Sequence, residues 1–212
     1  MNIVDSAVED YMKRLNSVDD EPVLLEMEAL AEEKSFPIIG RLCGRSLEVL
    51  ARSINARRVF ELGSGFGFSA YWFSRATGPG GEIHLTDMDP NNEKLALDFL
   101  GRAGLADPIE YHVSDALEAL NATDGEFDVV YCDIDKDGYP DAWRAGRERV
   151  RVGGYYICDN MLWSGRVAAP ASEHDGWTRA IDETNRLIAA DDRFRSTIIP
   201  TRDGVVAALR IS

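Results

Sequence analysis

Cysteine is scarce in this chain: Cys43, Cys132 and Cys158 are odd in number and widely spaced. They do not read as a disulfide framework. Without a C-x-x-C pair or a fourth ligand they do not read as a structural zinc site either. Buried free thiols are expected. No apolar run approaches the length of a membrane span. The stretch Met1–Asp20 mixes charge with apolar residues and lacks the continuous apolar segment of a secretory signal, so a cytoplasmic location is expected. Basic residues are outnumbered, 23 Lys and Arg against 37 Asp and Glu, giving a formal net charge of −14. No basic stretch compensates, which argues against nucleic acid or an anionic membrane as partner. The acidity suits a cationic ligand, a divalent metal or plain solubility, and does not choose among them. Internal repeats and low-complexity linkers are missing as well.

What is present is ordinary for one globular domain of 212 residues, with 45% hydrophobic and 28% charged content. Residues 1–54 read as helical. Leu24, Leu25, Met27, Leu30 and Ala31 recur at helical spacing, Pro37 interrupts, and a second helix follows through Leu42, Leu47, Val49 and Leu50. This segment is expected either to pack on the main domain or a second subunit, or to cover a site. Residues 55–212 change texture. Candidate strands at 58–62, 82–86, 109–113, 127–132 and 154–158 alternate with candidate helices near 68–77, 91–104, 115–121, 138–150 and 176–190. This is the pattern of an α/β fold with a parallel sheet and helices on both faces. Two strands at 195–200 and 204–211 close the chain as a hairpin, with Asp203-Gly204 as the turn signal, so an antiparallel last strand is expected.

The first strand runs into Glu61-Leu62-Gly63-Ser64-Gly65-Phe66-Gly67-Phe68-Ser69. Glycines at a strand-to-helix junction allow a tight turn and close backbone approach to a ligand, or simply tight packing. The spacing is G-x-G-x-G and not the dinucleotide pattern G-x-G-x-x-G, which disfavours a pyrophosphate site. Asp87, at the end of the second strand, is placed to accept hydrogen bonds from ribose hydroxyls. Ser114-Asp115-Ala116, after the third strand, falls where the base of a nucleoside would lie. All three lie at the carboxyl ends of parallel strands, so a nucleoside cofactor is expected.

The fourth strand ends in Cys132-Asp133-Ile134-Asp135-Lys136 and the fifth in Cys158-Asp159-Asn160. If these strands are neighbours, Asp133, Asp159 and Asn160 form a hard oxygen donor set for Mg²⁺, Ca²⁺ or Mn²⁺. The other reading of the acids is helix capping. Lys136, three residues after Asp133, is a candidate general base beside a metal-held hydroxyl, or a solvated lysine balancing Asp135 and Asp137.

The segments VFELGSGFGFSA, HLTDMDP, SDALEAL, FDVVYCDIDKDGY, VGGYYICDNMLWSGRV and DGVVAAL resemble the cation-dependent O-methyltransferase family that includes catechol and caffeoyl-coenzyme A O-methyltransferases. D-x-D-K-x-x-Y followed by D-N-x-L-W-x-G is the most specific part. The resemblance implies a Rossmann-like methyltransferase fold: a seven-stranded, mostly parallel sheet, order 3-2-1-4-5-7-6, with the last strand antiparallel. It implies S-adenosylmethionine as cofactor and a divalent cation, Mg²⁺ foremost. Glu61 and Gly63 would line the methionine portion, Ser69 would meet its carboxylate, Asp87 the ribose and Asp115 the adenine. Asp133, Asp159 and Asn160 would hold the metal, Asp133 would also touch the cofactor's ammonium, and Lys136 would be the base. Trp163 would wall the acceptor, with core packing as its other reading, and the segment 165–176 would border the acceptor pocket. A homodimer formed through the N-terminal helices is a further implication.

The expected reaction is in-line methyl transfer to one of two adjacent hydroxyls of a catechol-like small molecule. Coenzyme A esters fit less well, because no basic cluster awaits their phosphates. Three alternatives stay open: a metal-independent methyltransferase of the same fold, a catalytically silent cofactor-binding protein, and a nicotinamide oxidoreductase. The glycine spacing and terminal hairpin disfavour the last.

Overall fold

The computed structural model describes residues 3–15 and 21–212. The expected helical reading of positions 1–2 and 16–20 lies outside the described residues. Three helices open the chain, α1 (Ser6–Leu15), α2 (Pro22–Lys34) and α3 (Gly40–Ser53). Strand and helix then alternate: β1 (Arg58–Leu62), α4 (Phe68–Thr77), β2 (Glu82–Asp87), α5 (Pro90–Arg102), β3 (Ile109–Val113), α6 (Ala116–Ala122), β4 (Phe127–Cys132) and α7 (Tyr139–Gly146). The chain closes with β5 (Val150–Cys158), α8 (Gly176–Ala190), β6 (Phe194–Ile199) and β7 (Val205–Arg210).

The seven strands form one sheet in the order β3-β2-β1-β4-β5-β7-β6. β7 runs antiparallel to both β5 and β6, while the pairs from β3 through β5 are parallel. The expected fold is therefore the observed one, including the terminal hairpin. Its two cores follow from the strand alternation. Val59, Val129, Tyr131 and Ile157 point to a face covered by α2, α3 and α4. Phe60, Val130, Cys132 and Cys158 point to the other, covered by α6, α7 and α8. Leu24, Met27, Ala31, Cys43 and Leu47 lie in the first of these cores, so α2 and α3 belong to the body of the molecule. All three cysteines are buried and free.

Two boundaries differ from expectation by more than two residues. β5 begins at Val150, not 154, because an irregular register between Phe127 and Val129 admits extra residues on β5. α7 consequently stops at Gly146, short of the expected 150. No helix among the described residues is long and apolar enough to cross a membrane.

Candidate active site

A cavity of about 850 Å³ opens at the carboxyl ends of β1, β2, β3 and β4, where open α/β sheets place their ligands. The glycine loop forms its floor. Gly63 has φ +82°, and a Cβ there would come within 2.7 Å of the Asp133 carbonyl oxygen, so only glycine fits. Its N–H donates to Thr86 Oγ1 (3.0 Å), and the Thr86 hydroxyl donates to the Glu61 carbonyl (2.8 Å). Tyr111 reaches over from β3 to donate to the Gly65 carbonyl at 2.6 Å. The loop is thus tied to β2 and to β3 beyond it.

Glu61 lies beneath this loop, fully buried. Its Oε2 accepts from Ser69 Oγ at 3.0 Å, while Oε1 has no partner. Burial pushes the carboxyl up to about 8, against hydrogen bonds from Ser64 and Ser69 that favour the ionised form. A buried, half-satisfied carboxylate of this kind is suited to receive a cationic group. Asp87 lines the cavity from the end of β2, where its Oδ1 accepts the Asp89 N–H at 2.7 Å. Asp115 lines it from the start of α6 and caps that helix, with Oδ1 accepting from Leu117 and Glu118 N–H groups at 2.9 and 3.0 Å.

The other end is built from β4, β5 and the β6–β7 turn. Cys132 and Cys158 are register partners, so Asp133 and Asp159 leave the sheet side by side. Lys136 donates to Asp133 Oδ1 (2.9 Å), the Ile134 carbonyl (3.2 Å) and Tyr139 Oη (2.8 Å). The lysine therefore turns to Asp133 and not to Asp135 or Asp137. Tyr139 is buried, and its hydroxyl lies 3.1 Å from the Asp159 carbonyl and 3.4 Å from Asn160 Oδ1. Asp159 is fully buried; Arg202 donates to its Oδ2 at 2.8 Å, whereas its Oδ1 has no partner. Burial first, then the charge of Asp133, pushes the Asp159 carboxyl up to about 7. Asn160 holds a left-handed φ of 60°, and Arg202 one of 48°.

The turn that carries Arg202 is stitched to the loop after β5. Met161 N–H donates to the Gly204 carbonyl and Leu162 N–H to the Asp203 carbonyl, both at 2.8 Å. Gly204 has φ +86°, and a Cβ there would meet Leu162 Cγ at 2.5 Å. Trp163 and Trp177 line the mouth and meet edge-to-face at 6.0 Å. Among the described residues, none of 165–176 lines the cavity, contrary to expectation; Trp177, just beyond, does. Phe36, Pro37, Ile38 and Ile39, between α2 and α3, form part of the wall.

The expected set is thus divided by position. Gly63, Ser69, Asp87, Asp115, Asp133, Lys136 and Asn160 line the cavity, whereas Glu61 and Asp159 sit buried behind its wall. Sequence reasoning missed Arg202 and Trp177. Nothing in the turn sequence announces that Arg202 folds back onto Asp159. Tyr139 was visible only as the end of the D-K-x-x-Y spacing.

The chain matches the family model described as O-methyltransferase over residues 14–211. It is 33% identical over 179 residues to caffeoyl-CoA O-methyltransferase 1 of Eucalyptus globulus, covering 80% of this chain and 73% of that protein. Among solved structures it is similar to the O-methyltransferase TomG of Streptomyces achromogenes in complex with S-adenosylmethionine, at 26% identity. The TM-score is 0.87, over 97% of this chain and 96% of that one. An O-methyltransferase of Bacillus cereus in complex with S-adenosylhomocysteine aligns with a TM-score of 0.86 at 25% identity, over 96% and 97% of the two chains.

Proposed function

Because the chain belongs to the O-methyltransferase family, we propose that it transfers the methyl group of S-adenosylmethionine to one hydroxyl of a vicinal dihydroxy aromatic molecule held by a divalent cation. The observation that carries the cation is Asp159, a buried carboxylate with one oxygen anchored by Arg202 and the other without a partner. Beside it stand Asp133 and Asn160, so the donor set is two carboxylates and an amide oxygen. Such hard donors fit Mg²⁺, with Ca²⁺ and Mn²⁺ sharing the chemistry. When bound, the cation would supply Lewis-acid polarisation of the hydroxyl, and S-adenosylmethionine the electrophilic methyl.

The chain's own residues do the rest. The unpartnered Glu61 Oε1 and the close backbone approach at Gly63 support binding of the methionine portion, with Ser69 toward its carboxylate. Asp87 serves the ribose. Asp115 keeps one oxygen for its helix cap and offers the other toward the base. Lys136, held by Asp133 and Tyr139, is the proton acceptor for the hydroxyl, acting as the free amine after its ammonium proton passes to solvent. Trp163 and Trp177 would flank the aromatic ring. Positioning and a fixed electrostatic environment supply most of the acceleration.

Among the described residues, Lys136 and Arg202 are the cationic side chains lining the cavity, and both are engaged with carboxylates. This favours a small uncharged acceptor over a coenzyme A ester. A homodimer contact is proposed on α1, where Val8, Tyr11 and Leu15 are exposed along one face; light scattering of a Tyr11→Glu variant tests it, with loss of dimer expected. The enzymatic reading is tested with a panel of vicinal dihydroxy aromatics, following S-adenosylhomocysteine release with and without chelator. Release that requires both the acceptor and the metal supports it. Full release in excess chelator would select the metal-independent alternative, and cofactor binding without turnover the silent one.

A further inference from the structure

Outside the cavity, β2 and β3 carry a second cluster of ligand-type side chains. Along each strand, residues two apart share a face, so Glu82 and His84 on β2 stand beside Glu110 and His112 on β3. His84 is the register partner of Glu110. The His84 ring is buried, and Phe60 stacks against both imidazoles from the adjacent strand, with ring centroids 5.6 and 6.2 Å away.

The hydrogen bonds around His84 fix its tautomer. Its Nε2 lies 2.5 Å from Glu82 Oε1, and that carboxylate also accepts from Arg58 Nε at 2.9 Å. A carboxylate held by arginine is an acceptor, so Nε2 carries the hydrogen and Nδ1 presents a lone pair. That Nδ1 lies 3.0 Å from His112 Nε2 and 3.6 Å from Glu110 Oε2, while His112 Nε2 lies 3.7 Å from Glu110 Oε1. The two Glu110 separations are too long for hydrogen bonds. They run to the two different oxygens of one carboxylate, which therefore faces both imidazole nitrogens. One ligand atom from each of His84, Glu110 and His112 falls within 4.8 Å of the others.

We propose that His84, Glu110 and His112 form a three-ligand site for a zinc-type transition-metal ion, with Glu82 orienting His84 from behind. The carboxylate–histidine–metal arrangement is what holds a ligating imidazole in place in metal sites generally. Two imidazoles and one carboxylate select Zn²⁺, Co²⁺ or Ni²⁺ over Mg²⁺, unlike the all-oxygen set of Asp133, Asp159 and Asn160. Binding moves the His112 proton from Nε2 to Nδ1, so neutral imidazole replaces neutral imidazole and no net proton is released. The Glu110 side chain is 62% exposed, so the cluster opens to solvent on that side.

The site joins β2 to the sheet-edge strand β3. β2 ends at Asp87, and β3 carries Tyr111 and leads into Asp115, so an ion here would tie together the strands that frame the nucleoside end of the cavity. The site is regulatory or structural, and it stands independently of the proposed reaction.

The test uses the full chain with Mg²⁺ in excess, titrated with Zn²⁺ by calorimetry and with Co²⁺ by visible absorption. One equivalent is expected to bind, with the absorption bands of tetrahedral Co²⁺ and a raised melting temperature. His112→Ala and Glu110→Gln should each weaken Zn²⁺ binding by roughly tenfold or more, while Asp159→Asn leaves it unchanged. Glu110 is exposed, so Glu110→Gln keeps the test decisive even if His112→Ala fails to fold. No stoichiometric Zn²⁺ binding by the wild type would overturn the proposal. So would binding that survives Glu110→Gln and His112→Ala, or that is lost in Asp159→Asn.

Discussion

The two ends of the cavity are held by different physics. At the glycine-loop end, where the cofactor is proposed to lie, Gly63, Asp87 and Asp115 sit in turns whose hydrogen bonds are to backbone groups or to a threonine on the next strand. Asp87 binds an N–H two residues away, and Asp115 binds N–H groups two and three residues away. At the carboxylate end, Asp159 meets Arg202 across 43 residues of sequence, and Tyr139 meets Asp159 and Asn160 across about twenty. One end is therefore a set of turns held by hydrogen bonds to backbone groups and hydroxyls. The other is a network of buried charge that each member leaves unbalanced when removed.

Breaking the charged end should have the larger consequences. Asp133→Ala is expected to lower turnover by about 10³-fold or more, with little change in melting temperature, because its side chain is 25% exposed. Circular dichroism melts beside the S-adenosylhomocysteine assay check both halves. Arg202→Gln removes the anchor of Asp159 Oδ2 and should weaken Mn²⁺ binding by about tenfold. It should also cost about 1–3 kcal/mol of stability, less than a fully buried pair because Arg202 is part exposed.

At the glycine-loop end, Gly63→Ala forces a side chain into the left-handed region and against the Asp133 carbonyl. It should cost about 1–3 kcal/mol and weaken S-adenosylmethionine binding, read by calorimetry. Asp115→Ala should cost about 1 kcal/mol through the lost cap.

A separate effect concerns pH. Glu61, with an ordinary value of 4.5, is raised to about 8 in the fold, so the folded state holds its proton more tightly than the unfolded chain does. The stability this contributes is complete below about pH 4.5 and is lost as pH rises toward 8. In cofactor-free protein, Glu61→Gln should flatten that decline in melts taken between pH 5 and 8. An unchanged slope would place the ionisation elsewhere.

The same division explains what was legible in the sequence. The glycine loop, the strand-end acids and the hairpin signal Asp203-Gly204 are short-range patterns, and they located the strand ends and the terminal hairpin, while the sheet order followed from the family resemblance. The adjacency of Asp133 and Asp159 was readable once β4 and β5 were taken as neighbours. Arg202 was not readable, because its contact depends on the β6–β7 turn being fastened to the loop after Asn160. Trp177 was missed for a related reason: it lies in the first turn of α8 and meets Trp163 at the cavity only through tertiary packing. The His84–Glu110–His112 cluster was invisible for want of register, since adjacent strands must align before residues 26 and 28 positions apart can share a site.

The central claim is that Asp133, Asp159 and Asn160 hold a divalent cation at the cavity. The most direct test is a Mn²⁺ titration of the wild type and of Asp159→Asn, followed by electron paramagnetic resonance in the presence of S-adenosylmethionine. The account predicts one bound Mn²⁺ per wild-type chain, broadened on addition of a dihydroxy aromatic acceptor, and none in Asp159→Asn. Equal Mn²⁺ binding by the two proteins, or none by the wild type, would contradict it.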